Sequence, residues 1–276
     1  MFHIFPKSSK MRILSYVLLF VFAFILDKTV AGQTIEPVAT GDYHYEKPAA
    51  VVHRILTYNV RNCKGMDNKT DYDRVAAVIN AIHPEVVALQ ELDSVTTRSN
   101  GIDALKVLAE KCGMKYVYGA SIQFQGGKYG IGIMSKATPL SSSFLSLPGR
   151  EEKRGLLMAE FENYILYCTH FSLTEVDRVA SVQLINQKAK ELQKRVFLAG
   201  DLNASPESEA MNSLSKYWIN LSGKQPTFLS SEPKECIDYI WGINHGNFTY
   251  KIIKQEVVPE RIASDHRPVF IDVIID

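Results

Sequence analysis

Six apolar, strand-like runs of the sequence begin or end with an acid, an amide or an imidazole that has no place in an apolar core. Polar side chains at strand ends are typical of the ligand sites of open α/β sheets. Carboxylate and carboxamide oxygens suit hard divalent cations, and an imidazole can carry or release a proton near neutral pH. These candidate site residues are Asn59, Glu91, His170, Asp201, Asn203, Asp238, Asp265 and His266.

Taken singly, each of these residues has an ordinary structural explanation. An Asp after a Gly, such as Asp201, commonly forms a turn, and a Glu after a strand, such as Glu91, commonly faces water. The order of the residues along the chain is far more specific than any one of them. The local sequences are Thr-Tyr-Asn59, Gln-Glu91, Thr-His170, Gly-Asp201-Leu-Asn203, Ile-Asp238-Tyr and Ser-Asp265-His266-Arg-Pro.

This series resembles the endonuclease/exonuclease/phosphatase family over residues 55–272, and its Gly-Asp-Leu-Asn and Ser-Asp-His-Arg-Pro pieces are the most specific motifs. The resemblance implies an α/β (α+β) fold, a four-layer α/β/β/α sandwich. Two packed mixed β-sheets would be flanked by helices, with a cleft at one edge. It also implies a phosphoric ester hydrolase that depends on Mg²⁺ or Mn²⁺.

The residue types agree with that implied chemistry. A phosphodiester is anionic, so a catalyst must neutralise charge, position water and stabilise the leaving oxygen. We predict Glu91 to be the main metal ligand, with Asn59 and Asp265 completing or supporting the metal shell. A spacing of two in an extended strand would direct Asp201 and Asn203 into the cleft, the first towards the attacking water and the second towards a phosphoryl oxygen.

The two histidines have different expected roles. By the family pattern His266 pairs with Asp238, which would fix the imidazole tautomer and keep it protonated beside phosphate. Whether His266 acts as a base or as a cation is left open. The resemblance places His170 on the opposite wall of the cleft, where it would bind phosphate or assist the leaving group.

Strands and helices that could hold these residues interleave along the chain. Asp71 to His83, Ile102 to Gly113, about Thr174 to Lys194, and Ser205 to Leu214 have helical spacing or helix-start signals, with Thr174 and Asp177 spaced like a capping box. The Gly126-Gly127 pair predicts a hairpin turn. Strands are predicted at Val51–Val60, Val86–Leu92, Tyr129–Ser135, Tyr164–Phe171, Arg195–Leu202, Cys236–Trp241 and Pro268–Ile275.

The amino-terminal region predicts export. Basic residues precede an uncharged run from Ile13 to Leu26, which is short for a membrane span, and small residues allow cleavage after Ala31 or Gly32. The alternative is an uncleaved anchor. We therefore predict a signal peptide at 1–32, a polar lead at 33–48, one catalytic domain at 49–276, and a secreted or periplasmic location without a stable membrane span.

The charge of the mature chain bears on the substrate. Residues 1–32 contain four of the 31 basic and one of the 30 acidic residues, which leaves 27 and 29, a net charge of −2. Proteins that grip long nucleic acid usually carry a surplus of Lys and Arg. The favoured substrate is therefore a small or lipidic phosphate ester. The alternatives are a secreted endonuclease that cuts DNA or RNA and a non-catalytic binding module that keeps the fold.

Four cysteines, Cys63, Cys112, Cys168 and Cys236, would allow two disulfides in an exported protein, in three connectivities between which the spacing does not choose. No two of them form a short metal-binding pair, which argues against a structural zinc site. Cys168 lies two residues before His170 in an apolar run and is predicted to fill the core.

Overall fold

Twelve strands and four α-helices, with a short 3-10 helix at Arg61–Cys63, make up the described part of the chain, which in this computed structural model comprises residues 52–246 and 248–275. In chain order they are β1 (Val52–Asn59), α1 (Tyr72–Ile82), β2 (Val86–Ser94), α2 (Ala104–Cys112), β3 (Lys115–Phe124), β4 (Gly127–Ser135), β5 (Ser141–Leu147), β6 (Arg154–Glu160), β7 (Tyr164–His170), α3 (Glu175–Lys190), β8 (Arg195–Asp201), α4 (Glu209–Leu214), β9 (Trp218–Asn220), β10 (Asp238–Ile243), β11 (Lys251–Val257) and β12 (Val269–Ile274).

The strands form two mixed sheets of six strands each, in the orders β11-β12-β1-β2-β4-β3 and β5-β6-β7-β8-β10-β9. Each sheet contains one parallel pair near its centre, β1 with β2 and β7 with β8, and the other neighbours are antiparallel. Parallel neighbours need a crossover connection, and α1 and α3 supply it.

Side-chain alternation along the strands builds the layers. In β2, Val86 and Ala88 pack in the core between the sheets, whereas Val87 and Leu89 pack on the side that also buries residues of α1 and α2. The second sheet is covered in the same way by α3 and α4. Helices, sheet, sheet and helices therefore follow one another, which confirms the four-layer α/β/β/α sandwich.

Two of the predicted helices are confirmed, although α2 begins after Asp103 and not at Ile102. The carboxylates of Asp71 and Asp103 accept hydrogen bonds from the third residue beyond each, at 2.9 Å and 3.1 Å, and begin α1 and α2. Each helix ends at a left-handed residue, His83 and Gly113 respectively. Short helices with complete caps are predictable because these signals are local.

The other two helices correct the sequence-based bounds. Helix α3 ends at Lys190 rather than near Lys194, and Thr174 caps it without a side-chain hydrogen bond. No capping box forms, because the carboxylate of Asp177 instead accepts hydrogen bonds from Arg150. Helix α4 begins after Ser208, whose hydroxyl caps Met211, and not at Ser205-Pro206.

All seven predicted strands are present, with ends shifted by at most two residues, and the predicted hairpin turn lies at Gln125-Gly126 between β3 and β4. Five strands went unpredicted, namely β3, β5, β6, β9 and β11. Four of them, β3, β5, β9 and β11, are the edge strands of the two sheets, and β6 lies between β5 and β7. Edge strands keep polar and half-exposed side chains, so they lack the apolar signal of the central strands.

The four cysteines are free, and Cys168 is fully buried in the core between the sheets, as predicted. No helix within the described ranges has the length and apolarity needed to cross a membrane. The predicted signal peptide, its cleavage position and the polar lead lie outside the described residues.

Candidate active site

The candidate residues meet because of where the parallel strands end. Asn59 and His170 close β1 and β7, and Asp201 closes β8. Antiparallel pairing places Asp238, the first residue of β10, directly opposite Asp201. The segment that leads into β12 brings Asp265 to the same edge, because Ser264 donates a hydrogen bond to the Asn59 carbonyl at 2.7 Å.

These residues surround a cleft of about 500 Å³ at the edge of both sheets. Six of the eight candidates line the cleft, while Asn59 and Asp238 lie buried behind it. A cavity of similar size, about 530 Å³, lies near Tyr116 and Leu140 but is lined mainly by apolar and small polar side chains. Chemistry rather than volume therefore identifies the cleft as the candidate site.

Glu91 reaches the cleft through an irregularity of β2. The pairing of β2 with β4 shifts register between Leu89 and Leu92, and Glu91 has a left-handed backbone with φ of 59°. A non-glycine residue in that conformation costs energy, and such residues are concentrated at functional sites. The bulge turns the Glu91 carboxylate out of a strand whose other residues are all buried.

Asn59 connects the two sheets at the site. Its Nδ2 donates hydrogen bonds of 3.0 Å to Glu91 Oε1 and 3.0 Å to Asp201 Oδ2, and its Oδ1 accepts one from the Arg61 backbone at 3.0 Å. The amide nitrogen that faces the carboxylates cannot bind a metal. Asn59 therefore suits support of a metal shell better than direct ligation.

Asp201 is the centre of the arrangement. Its Oδ2 lies 3.0 Å from Asn59 Nδ2, 3.5 Å from His170 Nε2 and 3.7 Å from His266 Nε2. Burial raises the pKa of Asp201 to about 7, because the nearby His266 only partly offsets the loss of water. A carboxyl whose pKa lies near neutrality suits proton transfer.

His266 has the partner that the family pattern implied. Its Nδ1 lies 2.9 Å from Asp238 Oδ2, which also accepts a hydrogen bond from the Thr227 hydroxyl at 2.5 Å. Burial opposes a charge on the imidazole, but the carboxylates of Asp238 and Asp201 outweigh it and raise the pKa of His266 to about 10. The ring therefore carries a positive charge at neutral pH and directs Nε2–H towards the cleft.

His170 is in the opposite electrostatic situation. Its Nδ1 lies 3.2 Å from Arg154 Nη1. Burial, the Arg154 guanidinium and the charge on His266 hold the pKa of His170 well below its usual range. Its ring is neutral at physiological pH.

Asn203 reaches the cleft for a reason other than the predicted one. Strand β8 ends at Asp201, and Asn203 has a left-handed backbone with φ of 46°, so the strand-spacing argument is wrong. The turn is closed by a 2.9 Å hydrogen bond from the Asn203 backbone to Asp201 Oδ1. One amide N–H of Asn203 donates to the Phe171 carbonyl at 3.0 Å, and the second is available to the cleft.

Some residues of the site were missed by sequence reasoning. Arg61 Nε lies 3.2 Å from Asp265 Oδ2, and Arg154 lies beside His170. Arg154 ends the run Arg150-Glu-Glu-Lys-Arg154, which reads as an ordinary solvated loop. The remaining unpredicted residues of the cleft lining are Tyr129, Glu152, Leu173, Phe228, Glu235 and Ile237.

The donor set fits a hard divalent cation. Glu91 keeps one carboxylate oxygen without a hydrogen bond to any described residue, and Asp265 also lines the cleft. The ligand atoms of Asp201, Asp238 and His266 lie within 4.8 Å of one another. Because His266 and Asp238 are hydrogen-bonded to each other, this group suits proton transfer better than metal binding. Hard oxygen donors therefore remain with Glu91 and Asp265.

The chain matches the sequence profile of the Endonuclease/Exonuclease/phosphatase family over residues 56–266 and belongs to that family. No curated protein matches it significantly. The family comprises hydrolases of phosphate esters that generally depend on a divalent metal, and the acids and histidines of the cleft suit that chemistry.

Solved structures share the fold at low identity. An endonuclease/exonuclease/phosphatase family protein from Bacteroides thetaiotaomicron is 17% identical with a TM-score of 0.68, covering 82% of this chain and 95% of that one. A family protein from Bacteroides vulgatus is 20% identical with a TM-score of 0.68, over 82% and 99%. The mannosyl-6-phosphatase of Bacteroides thetaiotaomicron is 18% identical with a TM-score of 0.62, over 80% and 99%.

Proposed function

We propose that this protein is an exported, Mg²⁺- or Mn²⁺-dependent hydrolase of a small phosphate ester. The observation that carries the proposal is the convergence of nitrogen atoms from Asn59, His170 and His266 on Asp201 Oδ2, within 3.0–3.7 Å. A buried carboxyl surrounded by donors can take a proton from water while the same donors face an anionic substrate.

Each side chain has a defined part in the proposed reaction. Asp201 accepts the proton of the attacking water, and its raised pKa makes it a stronger base than an exposed Asp. His266, held charged by Asp238, donates Nε2–H to a phosphoryl oxygen. The second N–H of Asn203 serves a phosphoryl oxygen from the other side.

Glu91 would hold the metal, with Asp265 completing the shell and Asn59 orienting the Glu91 carboxylate at 3.0 Å. A bound divalent cation would supply charge neutralisation on the phosphoryl group. Arg61, at 3.2 Å from Asp265 Oδ2, orients the second carboxylate in the same manner.

The proposed substrate is small because of the charge of the cleft lining. Glu152 and Glu235 stand at the cleft together with the candidate acids, and the mature chain is near-neutral. The backbone phosphates of a polyanion such as DNA would meet these carboxylates and be repelled by them. The shared fold of the mannosyl-6-phosphatase supports the inclusion of sugar phosphates in a substrate screen.

A screen of purified protein tests the proposal. The panel contains 4-nitrophenyl phosphate, bis(4-nitrophenyl) phosphate, sugar phosphates, sphingomyelin and supercoiled plasmid, each with Mg²⁺, Mn²⁺ or EDTA. We expect metal-dependent turnover of a small ester without plasmid nicking. Plasmid nicking as the main activity would favour the endonuclease alternative, and inertness towards the whole panel would favour a binding module.

The variant Asp201→Asn gives the sharper test of the mechanism. Loss of a positioned general base should lower kcat by about 10²–10⁴-fold. Asp73→Asn is the matched control, because Asp73 lies on α1 and its exposed carboxylate pairs with Lys111 outside the cleft. Equal activity of Asp201→Asn and the control would contradict the assignment.

Export is tested on the protein recovered separately from the membrane and from the secreted or periplasmic fraction of its natural host or a heterologous host. Amino-terminal sequencing should find Gly32 or Gln33 as the first residue. A mature protein that still starts at Met1 would favour the uncleaved anchor.

A further inference from the structure

Arg154 has no assigned role, although it lies in the cleft wall and is only 6% exposed. The pairing of β6 with β7 sets Gly155 opposite His170, which brings the Arg154 side chain beside the imidazole. Its Nη1 lies 3.2 Å from His170 Nδ1 and 3.2 Å from Glu152 Oε1. Its Nη2 lies 3.6 Å from Glu151 Oε1, so the guanidinium stands between two carboxylates and the histidine.

A guanidinium group can donate hydrogen bonds but cannot accept them. The 3.2 Å contact with Arg154 therefore requires the lone pair of His170 at Nδ1, and in a neutral ring the hydrogen must then lie on Nε2. That nitrogen points to the cleft, 3.5 Å from Asp201 Oδ2. The positive charge of Arg154 also discourages a second proton on the ring.

We infer that Arg154 is a positioning residue that holds His170 as the neutral Nε2–H imidazole, so that His170 donates a hydrogen bond to a phosphoryl oxygen of the substrate. The part that concerns the substrate rests on the proposed function, whereas the tautomer does not. His170 in this state has no free lone pair in the cleft. It therefore leaves the deprotonation of water to Asp201.

Two observations separate this role from that of an ordinary ion pair. The Nε of Arg154 is buried without a hydrogen-bond partner, its Nη2 lies 3.6 Å from Glu151 Oε1, and its Nη1 contact with Glu152 lacks hydrogen-bond geometry, so the guanidinium makes no two-pronged bond with a carboxylate. Arg150 of the same loop makes such a bond with Asp177, at 3.0 Å and 3.1 Å. The loop is therefore anchored by Arg150, and Arg154 points to the histidine.

The tautomer is measured by ¹⁵N NMR of the histidine rings in the full-length protein, without substrate or added metal. The His170 signals are assigned by their loss in His170→Asn. We expect hydrogen on Nε2 and none on Nδ1 in the wild type and in Arg154→Lys, which keeps a donor. Arg154→Met should yield a mixture of tautomers, while Arg150→Met, the matched control, should not.

Hydrogen on Nδ1 of His170 in the wild type, or an unchanged tautomer in folded Arg154→Met, would overturn the inference. Thermal unfolding establishes that the variants are folded. If Arg154→Met does not fold, Arg154→Ala replaces it, with the same expected mixture of tautomers. A protein with the expected tautomer but no esterase activity would refute the proposed function and leave the positioning role intact.

A double-mutant cycle tests the effect on turnover with the best ester from the screen. Because loss of one preorganised donor costs about 10²–10³-fold in kcat, we expect Arg154→Met to lower kcat by roughly 10–100-fold with little change in KM. Arg154→Lys should regain most of the loss. In a His170→Ala background Arg154→Met should have no further effect, because its action passes through the missing ring.

Equal losses in both backgrounds, or a rise in KM alone, would mean that Arg154 contacts the substrate directly, and the inference would be wrong. A merely structural role would lower the unfolding temperature and give additive losses of kcat in the cycle.

Discussion

The two walls of the cleft hold the same side chain in opposite states. On one wall His266 faces the carboxylates of Asp238 and Asp201, which raise its pKa to about 10. On the other wall His170 faces Arg154, and burial together with that charge lowers its pKa well below the ordinary value. Both rings present Nε2 to the same oxygen of Asp201, at 3.7 Å and 3.5 Å.

This difference teaches that the group in contact with Nδ1, and not the burial of the ring, decides the charge of each histidine. Both rings are almost completely buried, and burial alone would make both neutral. The carboxylate behind His266 stabilises a cation, whereas the guanidinium behind His170 excludes one. The cleft thus combines one charged and one neutral donor around a single base.

The largest effect should follow from removing the carboxylate behind His266. Asp238→Asn keeps the shape of the side chain but no longer stabilises the imidazolium or fixes the tautomer. We expect kcat to fall by up to about 10⁴-fold, the scale seen when an aspartate that orients a catalytic histidine is replaced by asparagine. Steady-state kinetics measure the loss, with Asp73→Asn as control. A change below tenfold would show that the Asp238 carboxylate is dispensable.

Glu91→Gln should affect the metal and leave both histidines unchanged. Loss of the main anionic ligand weakens binding, so the Mg²⁺ or Mn²⁺ concentration for half-maximal activity should rise at least about 10–100-fold, the range reported for weaker outer-shell changes. Metal titration of activity measures the shift. Glu110→Gln is the matched control, because the Glu110 side chain on α2 is exposed and does not line the cleft. An unchanged metal requirement would show that a residue other than Glu91 is the main metal ligand.

A smaller effect should follow from Thr227→Val, which is nearly isosteric. The fully buried Thr227 hydroxyl donates to Asp238 Oδ2 at 2.5 Å, and a hydrogen bond to a charged group contributes about 1.5–3 kcal/mol. We expect a loss of stability in that range. A modest decrease in kcat should accompany it, because Asp238 keeps its bond to His266. Denaturant unfolding and kinetics measure both, and a loss of kcat as large as that of Asp238→Asn would contradict this ranking.

The smallest effect is the pH dependence of stability in metal-free protein. The folded pKa of His266, about 10, exceeds its unfolded value, so its stabilisation is complete below about pH 6.5 and is lost as pH rises towards 10. His170 has a lowered folded pKa, so stability is lost as pH falls below about 6.5. The stabilisation of the wild type over His266→Gln, measured as the difference in unfolding temperature, should therefore decrease as pH rises above about 6.5. The stabilisation of the wild type over His170→Gln should instead decrease as pH falls below about 6.5. The same direction of pH dependence for both differences would refute the opposite charge states of the two histidines.

Several features could be predicted because their signals are local. The central strands are apolar on both faces, the ends of α1 and α2 carry complete caps, and the Gln125-Gly126 turn has its glycine. Other features depend on neighbours that are distant in the chain. Asp177 is spaced for a capping box, yet Arg150 binds it instead, and the polar edge strands form only because a central strand lies beside them.

The amino-acid sequence by itself determined the family, the class of fold and the eight candidate residues. Most of the motifs stand at or beside the first or last residue of a strand, where the chain must place them once the sheet forms, whereas Glu91 lies at a bulge within β2. Only the tertiary structure decided the states of those residues. The left-handed turns at Glu91 and Asn203 and the choice of Arg154 for one histidine and Asp238 for the other arise from contacts between strands. Charge depends on such contacts, because a buried proton is held or released by whatever lies within a few ångströms of it.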